Sequence, residues 1–384
     1  MLVHKTVKAK LHSLTKIKED LISREYNAFQ EAVKGKKEDV NLYSATKQQA
    51  KKKKIKFQKK PKKKEQPLRL RNDCFRIEKQ EDTKISKFWI KIPVYNPEKD
   101  RGDSVWCPIV IPRKDEKLIE QCDFGDSELV KKGNDWFVHL VVKKEAEIQD
   151  TYNDVLAIDL GVKWIATSVA LSDRKTNFYG KEIRKIRGHY FYLRKKLARK
   201  KIHQFYNRIK NSKEKDKIND KLHKISKKII DDAKKRNALI VLGDLKGIRK
   251  QNKGRRFNRK LNSFSYHKLV QYIKYKANWE GIQVIKVSEA YTSQFCWRCG
   301  TKGVRHNGLF KCPSCGLLEN SDRNGAINIG KRALGQVSFK SRGTTGSAQN
   351  PSSEQKDFKQ GYSKRLGKLP PLEGRGCQGV ILNY

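Results

Sequence analysis

The chain has 384 residues, and its 88 Lys and Arg outnumber its 41 Asp and Glu, which gives a formal net charge of +47. Such an excess repels itself in a compact fold, so it favours a polyanionic partner, and nucleic acid fits best because phosphate contacts release counterions. A Lys-rich thermophilic composition is the alternative, but it usually raises Glu together with Lys. No apolar run approaches the ~20 residues of a membrane span and no signal peptide opens the chain, so we expect no membrane partner.

The N-terminal segment, residues 1–66, is predicted to hold a strand followed by a short helical, Lys-rich part. The residues "HKTVKAKL" alternate as in a strand, and "KIKEDLISREYNAFQEAV" is typical of a helix. Residues 47–64 then carry eleven Lys and no acid. A solvated linker, a phosphate-contacting segment and a nuclear-import signal all fit this run.

Residues 67–150 have the composition of a small antiparallel β-barrel or sandwich. The runs "KFWIKIPVY", "SVWCPIVIP" and "DWFVHLVVKK" are short, aromatic and β-branched, and Pro or Gly lies near their ends.

Residues 151–293 and 319–335 alternate between strand and helix patterns, which predicts an α/β sheet with parallel members. The strands are "VLAIDLGVKWIATSVAL", "ALIVLGDL" and "IQVIKVSE", and a helical stretch keeps Ile218, Leu222, Ile225 and Ile229 on one face. Between Lys185 and Arg236, 20 basic residues face 5 acidic ones. We expect a cationic helical surface there, and a disordered basic tail over residues 336–384.

Residues 294–318 contain the strongest motif, Cys-x₂-Cys followed after twelve residues by Cys-x₂-Cys. Four thiolates at this spacing form a closed tetrahedral shell, so one structural zinc ion is predicted on Cys296, Cys299, Cys312 and Cys315. His306 is a possible substitute ligand. Two disulfides are the alternative, but the scattered positions of the other four Cys suit a reducing compartment better.

Two carboxylates lie at the ends of predicted elements. Asp159 ends the strand in "AIDLG", and Asp322 precedes a helical stretch in "NSDRNGAINIGKRAL". Each by itself fits an ordinary turn or helix cap as well as a functional site.

In their order along the chain, "AIDLGVKWIATSV", "IVLGDLKGI", "AYTSQFCWRCG" through "CPSCG", and "DRNGAINI" resemble the TnpB family. Members of this family are transposon-encoded, RNA-guided DNA nucleases related to eukaryotic Fanzor proteins and compact type V CRISPR effectors. The resemblance covers roughly Val155 to Leu334. It implies an α/β RNase H-like (RuvC) nuclease domain with an inserted zinc ribbon, and an N-terminal β-barrel (wedge) domain with a short helical recognition segment.

The resemblance also implies three carboxylates that hold two catalytic Mg²⁺ ions. Asp159 corresponds to the first and Asp322 to the third. The second is ordinarily a Glu in Glu-Asp-Leu at a strand tip, where this chain has Gly243, Asp244 and Leu245. Three readings remain open: a nuclease-dead relative that represses by RNA-guided binding, substitution by Asp244, or a carboxylate from elsewhere.

Glu289 is the candidate for a carboxylate from elsewhere, because it ends the next strand, "IQVIKVSE". In the fold that the resemblance implies, the fifth strand lies beside the fourth and parallel to it, about 4.8 Å away. Some TnpB and Fanzor proteins have a relocated glutamate of this kind. Asp244 should point to the opposite face from residue 243, because successive strand residues alternate. We therefore expect catalytic Asp159, Glu289 and Asp322.

The function expected from these observations is RNA-guided, Mg²⁺-dependent DNA cleavage, with a guide RNA from the protein's own locus and target DNA as partners. A catalytically silent repressor and a resolvase-like nuclease without RNA are the alternatives. Candidate nucleic-acid contacts are Lys195, Lys196, Arg255 and Arg256. We expect the cytoplasm or nucleoid of a prokaryote, or the nucleus of a eukaryote, where residues 47–64 suit import.

Overall fold

A computed structural model describes residues 1–35, 40–59, 65–200, 213–245 and 265–335, together with the single positions 209, 254 and 258. The predicted contacts Arg255 and Arg256 and the predicted tail, residues 336–384, lie outside the described residues. The chain divides into two compact units, the first from Met1 to Glu145 and the second beginning at Ala146.

The first unit is built on one antiparallel sheet of seven strands in the order β2-β6-β7-β1-β5-β4-β3. Its strands are β1 (Leu2–Leu11), β2 (Leu68–Leu70), β3 (Arg76–Lys79), β4 (Phe88–Asn96), β5 (Arg101–Val110), β6 (Asp123–Lys132) and β7 (Asp135–Glu145). The three β-rich runs predicted from sequence correspond to β4, β5 and β7. The N-terminal strand β1 lies between β5 and β7, and its alternate side chains Val3, Val7, Ala9 and Leu11 are buried. The described strands of this unit therefore form one sheet rather than the two of a sandwich; barrel closure stays a prediction.

The helices of the first unit are α1 (Lys16–Lys34), α2 (Ser44–Lys59) and α3 (Glu116–Gln121), the last preceded by a 3₁₀ turn over Arg113–Asp115. A solvated linker was one of the interpretations of the Lys-rich run, but its residues 47–59 lie in helix α2. Lys is a good helix former, and the helix is anchored to neighbouring backbone, which is the physical reason for the difference. The Gln49 amide donates to the Arg69 carbonyl at 2.6 Å, and Lys53 Nζ donates to the Pro67 carbonyl at 2.6 Å.

The second unit contains a five-stranded mixed sheet in the order β10-β9-β8-β11-β12. Its strands are β8 (Asp154–Asp159), β9 (Ala166–Ala170), β10 (Thr176–Tyr179), β11 (Ala238–Asp244) and β12 (Val284–Ser288). Strand β11 lies between β8 and β12 and is parallel to both. Strand β9 runs antiparallel to β8, and β10 runs antiparallel to β9. A small three-stranded sheet follows, formed by β13 (Val304–His306), β14 (Leu309–Lys311) and β15 (Leu318–Asn320).

Helices cover both faces of the five-stranded sheet. They are α4 (Lys181–Arg199), α5 (Glu214–Arg236), α6 (Tyr266–Trp279) and α7 (Ser321–Ala333). Even-numbered residues of β8 and β11, such as Ile158 and Leu242, pack with α4, α5 and α6. Odd-numbered residues, such as Ala157 and Val241, pack with α7 and the Cys-rich segment. This alternation decides which side chains at the strand tips share a face.

Among the described residues, no helix combines the length and the apolar character that a membrane span requires.

Candidate metal centres

The four predicted zinc ligands converge. The sulfur atoms of Cys296, Cys299, Cys312 and Cys315 all lie within 4.8 Å of one another. Cys296 Sγ lies 3.6 Å from Cys315 Sγ, and Cys299 Sγ lies 3.4 Å from Cys312 Sγ. A disulfide requires ~2.05 Å between sulfurs, whereas a tetrahedral ion with Zn–S bonds of ~2.3 Å requires ~3.8 Å. The arrangement therefore fits one zinc ion and not two disulfides.

Each Cys-x₂-Cys turn is closed by a glycine in the left-handed region, Gly300 at φ 73° and Gly316 at φ 71°. Backbone N–H groups aim at the first sulfur of each turn, since Arg298 N lies 3.4 Å from Cys296 Sγ and Cys315 N 3.5 Å from Cys312 Sγ. These donors stabilise thiolates, the form in which Cys binds metal. The cluster is thus prepared for an ion by its own backbone.

Asp159 and Asp322 are brought together from distant parts of the chain. Asp159 ends β8, and Asp322 lies in the first turn of α7, where the Asn320 side chain accepts a hydrogen bond from its backbone N–H at 2.8 Å. A methyl group at Gly325 would lie only 3.1 Å from Asp159 Oδ2. Glycine at this position therefore lets α7 pack closely against the strand tip that carries Asp159.

Glu289 occupies the space above Gly243. A Cβ atom built on Gly243 would meet Glu289 Oε1 at 1.9 Å and Glu289 Cγ at 2.3 Å, which no real side chain tolerates. The strand register explains this close approach of Glu289 to Gly243. Gly243 pairs with Val287 in β12, and Glu289 lies two residues farther along on the same face. Asp159 on β8 is also odd-numbered, and the odd-numbered residues of these strands share one face. Gly243, Glu289 and Asp159 therefore all lie on the face that α7 covers.

Asp244 lies on the other face of the sheet, with Ile240 and Leu242. Its carboxylate lies 3.9 Å from Lys286 Nζ, which projects from the neighbouring strand on that side. The expectation that Asp244 points away from Asp159 therefore agrees with the geometry.

Burial and mutual repulsion make the three carboxyl groups hard to ionise together. Burial, followed by the charge of Asp322, raises the pKa of Asp159 to about 7. Burial, then Asp159 and Asp244, raises the pKa of Glu289 to about 8. Burial also raises the pKa of Asp322. Glu289 Oε1 is buried and accepts no hydrogen bond from the described residues. Acidic groups in this state are typical of a site completed by cations.

The carboxylates are spread more widely than the thiols, since among the described residues only the four Cys form a set within 4.8 Å. A site for two ions requires such spreading, because the ions themselves lie ~3.5–4 Å apart. The donor set, three carboxylates on one face with an unpartnered buried oxygen, fits hard divalent cations.

Arg305 was not identified from the sequence. It lies on β13 directly opposite the fully buried Phe310, so it projects to the same side of the three-stranded sheet as that ring. Its Nη2 atom lies 4.0 Å from Asp322 Oδ1. Its charge lowers the pKa of both Asp322 and Asp159, against the effect of burial. No local spacing signals this residue; only the pairing of the ribbon strands places it.

The segment between Glu289 and Cys296 is clamped to α7 by two buried amides. Asn328 Nδ2 donates to the Thr292 and Phe295 carbonyls, both at 2.7 Å, and Asn324 Oδ1 accepts from Trp297 N at 3.1 Å. Thr292 Oγ1 in turn donates to the Glu289 carbonyl at 2.9 Å. The same helix that carries Asp322 therefore orients both Glu289 and the first Cys pair.

Of the predicted nucleic-acid contacts, Lys195 and Lys196 lie exposed on α4. This helix is held to α5 by an ion pair of 2.6 Å between Arg194 and Glu214. The exposed charge is compatible with phosphate binding, which stays a prediction.

Known proteins resemble this chain in both sequence and fold. The family model described as "Cas12f1-like, TNB domain" matches residues 266–329. TnpB-like protein MJ0751 of Methanocaldococcus jannaschii is 31% identical over 233 residues, which cover 55% of this chain and 83% of that protein. The CRISPR-associated endodeoxyribonuclease Cas12f2 of a Micrarchaeota archaeon is 28% identical over 220 residues, 52% of this chain but only 40% of that protein.

Among solved structures, Cas12f1 in its complex with single-guide RNA and target DNA matches with a TM-score of 0.56 at 17% identity, over 82% of each chain. This likeness shows a shared fold.

Proposed function

The chain belongs to the TnpB family, and from that premise we propose that it is an RNA-guided DNA endonuclease of RuvC type. Its guide RNA would come from its own locus, and its substrate would be target DNA. Relatives that are named endodeoxyribonucleases support this assignment, although the chain spans 40% of the Cas12f2 length. The excess of basic residues supports a nucleic-acid partner independently.

One observation carries the catalytic part of the proposal. The carboxylate of Glu289 fills the space that a side chain at position 243 would need, on the face that carries Asp159. The loss of a carboxylate at Gly243 is therefore matched by a carboxylate delivered to the same volume from the adjacent strand. This compensation favours an active nuclease over a silent repressor.

In this function Asp159, Glu289 and Asp322 would hold two Mg²⁺ ions. Bound Mg²⁺ supplies Lewis acidity for the attacking water and the leaving oxygen of a phosphodiester. Arg305 adds a positive charge beside Asp322, where it attracts the phosphate and orients it. Cys296, Cys299, Cys312 and Cys315 would hold one zinc ion with all four positions filled by protein, so zinc would act on the fold and not on substrate.

The test is purification from cells that carry the native locus, sequencing of the bound RNA, and a cleavage assay with that RNA and matching DNA. We expect cutting that requires both the RNA and Mg²⁺, and that disappears in Asp159→Ala. Wild-type protein that binds its matched target but never cuts would support the repressor instead. Cutting without RNA would support a generic nuclease.

A further inference from the structure

An aromatic pair lies at the edge of the five-stranded sheet, near Asp159. Phe178 on β10 and Trp164 in the loop after β8 have ring centroids 5.4 Å apart and planes inclined by 43°. Phe178 is 38% exposed although it belongs to a strand, and Trp164 is half-buried. Part of this aromatic pair is thus open to solvent at the margin of the candidate nuclease site.

The sheet register puts Phe178 on the carboxylate face. Asp159 pairs with Thr167 across β8 and β9, and Thr167 pairs with Phe178 across β9 and β10. Residues directly opposite in antiparallel pairs project to the same side, so the three form a row on the face that holds Glu289. Two strand spacings separate the backbones of Asp159 and Phe178, which is about 10 Å.

Two lysines lie beside the aromatic pair. Lys181 Nζ lies 5.4 Å from the centre of the Trp164 ring. Lys163, the residue before Trp164, is exposed. Aromatic faces interleaved with Lys are the combination by which proteins hold unpaired nucleic acid, since rings stack on bases while ammonium groups bind phosphates.

We propose that Trp164 and Phe178 form a stacking platform for an unpaired base of the DNA strand that enters the nuclease site. The platform rests on the proposed nuclease function and adds a positioning surface to it. Its occupant is a single strand, because the bases of a duplex already stack on their neighbours and offer no free face. At the 3.4 Å spacing of stacked nucleotides, 10 Å corresponds to about three nucleotides from the cut bond.

The alternative is that the pair only covers the sheet edge. The substitution Phe178→Leu distinguishes a stacking platform from a pair that only covers the edge, because leucine keeps an apolar side chain there but offers no ring. Phe178→Tyr is the matched control, since it keeps the ring. Both variants should melt close to wild type, because Phe178 is partly exposed.

The experiment scans single abasic sites along the cut strand, in the guide-loaded full-length protein with Mg²⁺. For wild type and Phe178→Tyr, an abasic site within about three nucleotides of the cut bond should slow cutting by about 5- to 150-fold, the range of one base–aromatic stack. Phe178→Leu should cut intact strand more slowly by a similar factor, and the same abasic site should then have little further effect. An abasic profile that Phe178→Leu leaves unchanged would overturn the platform.

A second measurement does not depend on cutting. Ultraviolet cross-linking of single-stranded oligothymidylate to the protein in EDTA, followed by trypsin, should label the peptides 164–174 and 176–181. Labelling of these peptides in a protein that never cuts would overturn the proposed function and keep the platform. Cutting by a protein whose cross-links avoid both peptides would keep the function and overturn the platform.

Discussion

The second unit contains two candidate ligand clusters that are built in opposite ways. The four thiols come from one segment, Cys296 to Cys315, and receive hydrogen bonds from their own turns. The three carboxylates come from β8, from the end of β12 and from α7, and Glu289 Oε1 receives no hydrogen bond from the described residues. One cluster is made by local backbone geometry, whereas the other exists only because the sheet and helix assemble.

This difference predicts that the two clusters tolerate substitution differently. A thiol cannot move by one residue without breaking the Cys-x₂-Cys turn that aims it. A carboxylate can move from one strand to its neighbour, provided that it stays on the same face and a glycine clears the space, as Gly243 does for Glu289. A site assembled by tertiary structure is therefore free to exchange the source of a ligand.

Glu289→Ala should have the largest effect on the carboxylate cluster and should leave the thiol cluster unchanged. We expect cutting to fall by on the order of 10³- to 10⁶-fold, because a carboxylate is lost beside Asp159, while zinc content and guide binding stay unchanged. Single-turnover cleavage with Mg²⁺ measures the effect. Asp244→Ala is the matched control, since this carboxylate lies on the opposite face near Lys286. An equal loss in Asp244→Ala would assign the second carboxylate to position 244.

Cys312→Ser should affect the fold before it affects the chemistry. The Cys312 thiol is buried, and structural zinc sites contribute roughly 10–16 kcal/mol to the folding of small zinc domains. We expect zinc to fall from about one per chain to near zero, and the protein to become poorly soluble. Elemental analysis and thermal melting measure this, with Cys122→Ser as a control outside the cluster. A well-folded, fully active Cys312→Ser protein would contradict a structural zinc.

Gly243→Ala tests the shared space directly. Its methyl group must displace the Glu289 side chain, and a misplacement of ~1 Å costs about 10²-fold in rate. The same substitution should cost little stability when Glu289→Ala has already emptied the space. A double-mutant cycle of melting temperatures measures this coupling. Strictly additive effects would show that the two residues do not compete for one volume.

Thr292→Val tests a hydrogen bond in the segment that joins the two clusters. It removes the hydroxyl that donates to the Glu289 carbonyl. We expect cutting to fall about tenfold and to recover partly at higher Mg²⁺, while zinc content stays constant. Thr292→Ser keeps the hydroxyl and should behave as wild type. If Thr292→Ser loses as much activity as Thr292→Val, packing rather than the hydrogen bond is responsible.

The smallest effect that we predict concerns stability alone, where Glu289→Gln should change the pH dependence. The folded pKa of Glu289 is raised to about 8, so the stability it contributes is fully present below its unfolded pKa and lost as pH rises through about 8. In EDTA, wild type should therefore lose several degrees of melting temperature relative to Glu289→Gln between pH 6 and 8.5. Adding Mg²⁺ should reverse the difference. Parallel melting curves across this range would mean that Glu289 ionises freely.

Sequence patterns predicted many parts of the molecule whose causes are local. The Cys spacing, the strands β8 and β11, and the apolar stripe of α5 all depend on neighbours a few residues away. The Lys-rich run was ambiguous, because its composition fits a linker as well as a helix, and the carbonyls of Arg69 and Pro67 that anchor α2 come from a later segment.

That Asp244 points to the opposite face from Gly243 could also be inferred from the sequence, because side chains alternate along a strand. The family resemblance implied that β12 lies beside β11 and parallel to it, and the structure confirms this. The sequence by itself could not determine the register that puts Glu289 over Gly243, or that β13 places Arg305 beside Asp322. Pairing and register depend on contacts between distant segments, and these form only when both faces of the sheet are covered. The thiols were therefore predicted from spacing, whereas the meeting of Glu289 with Asp159 was decided by tertiary structure.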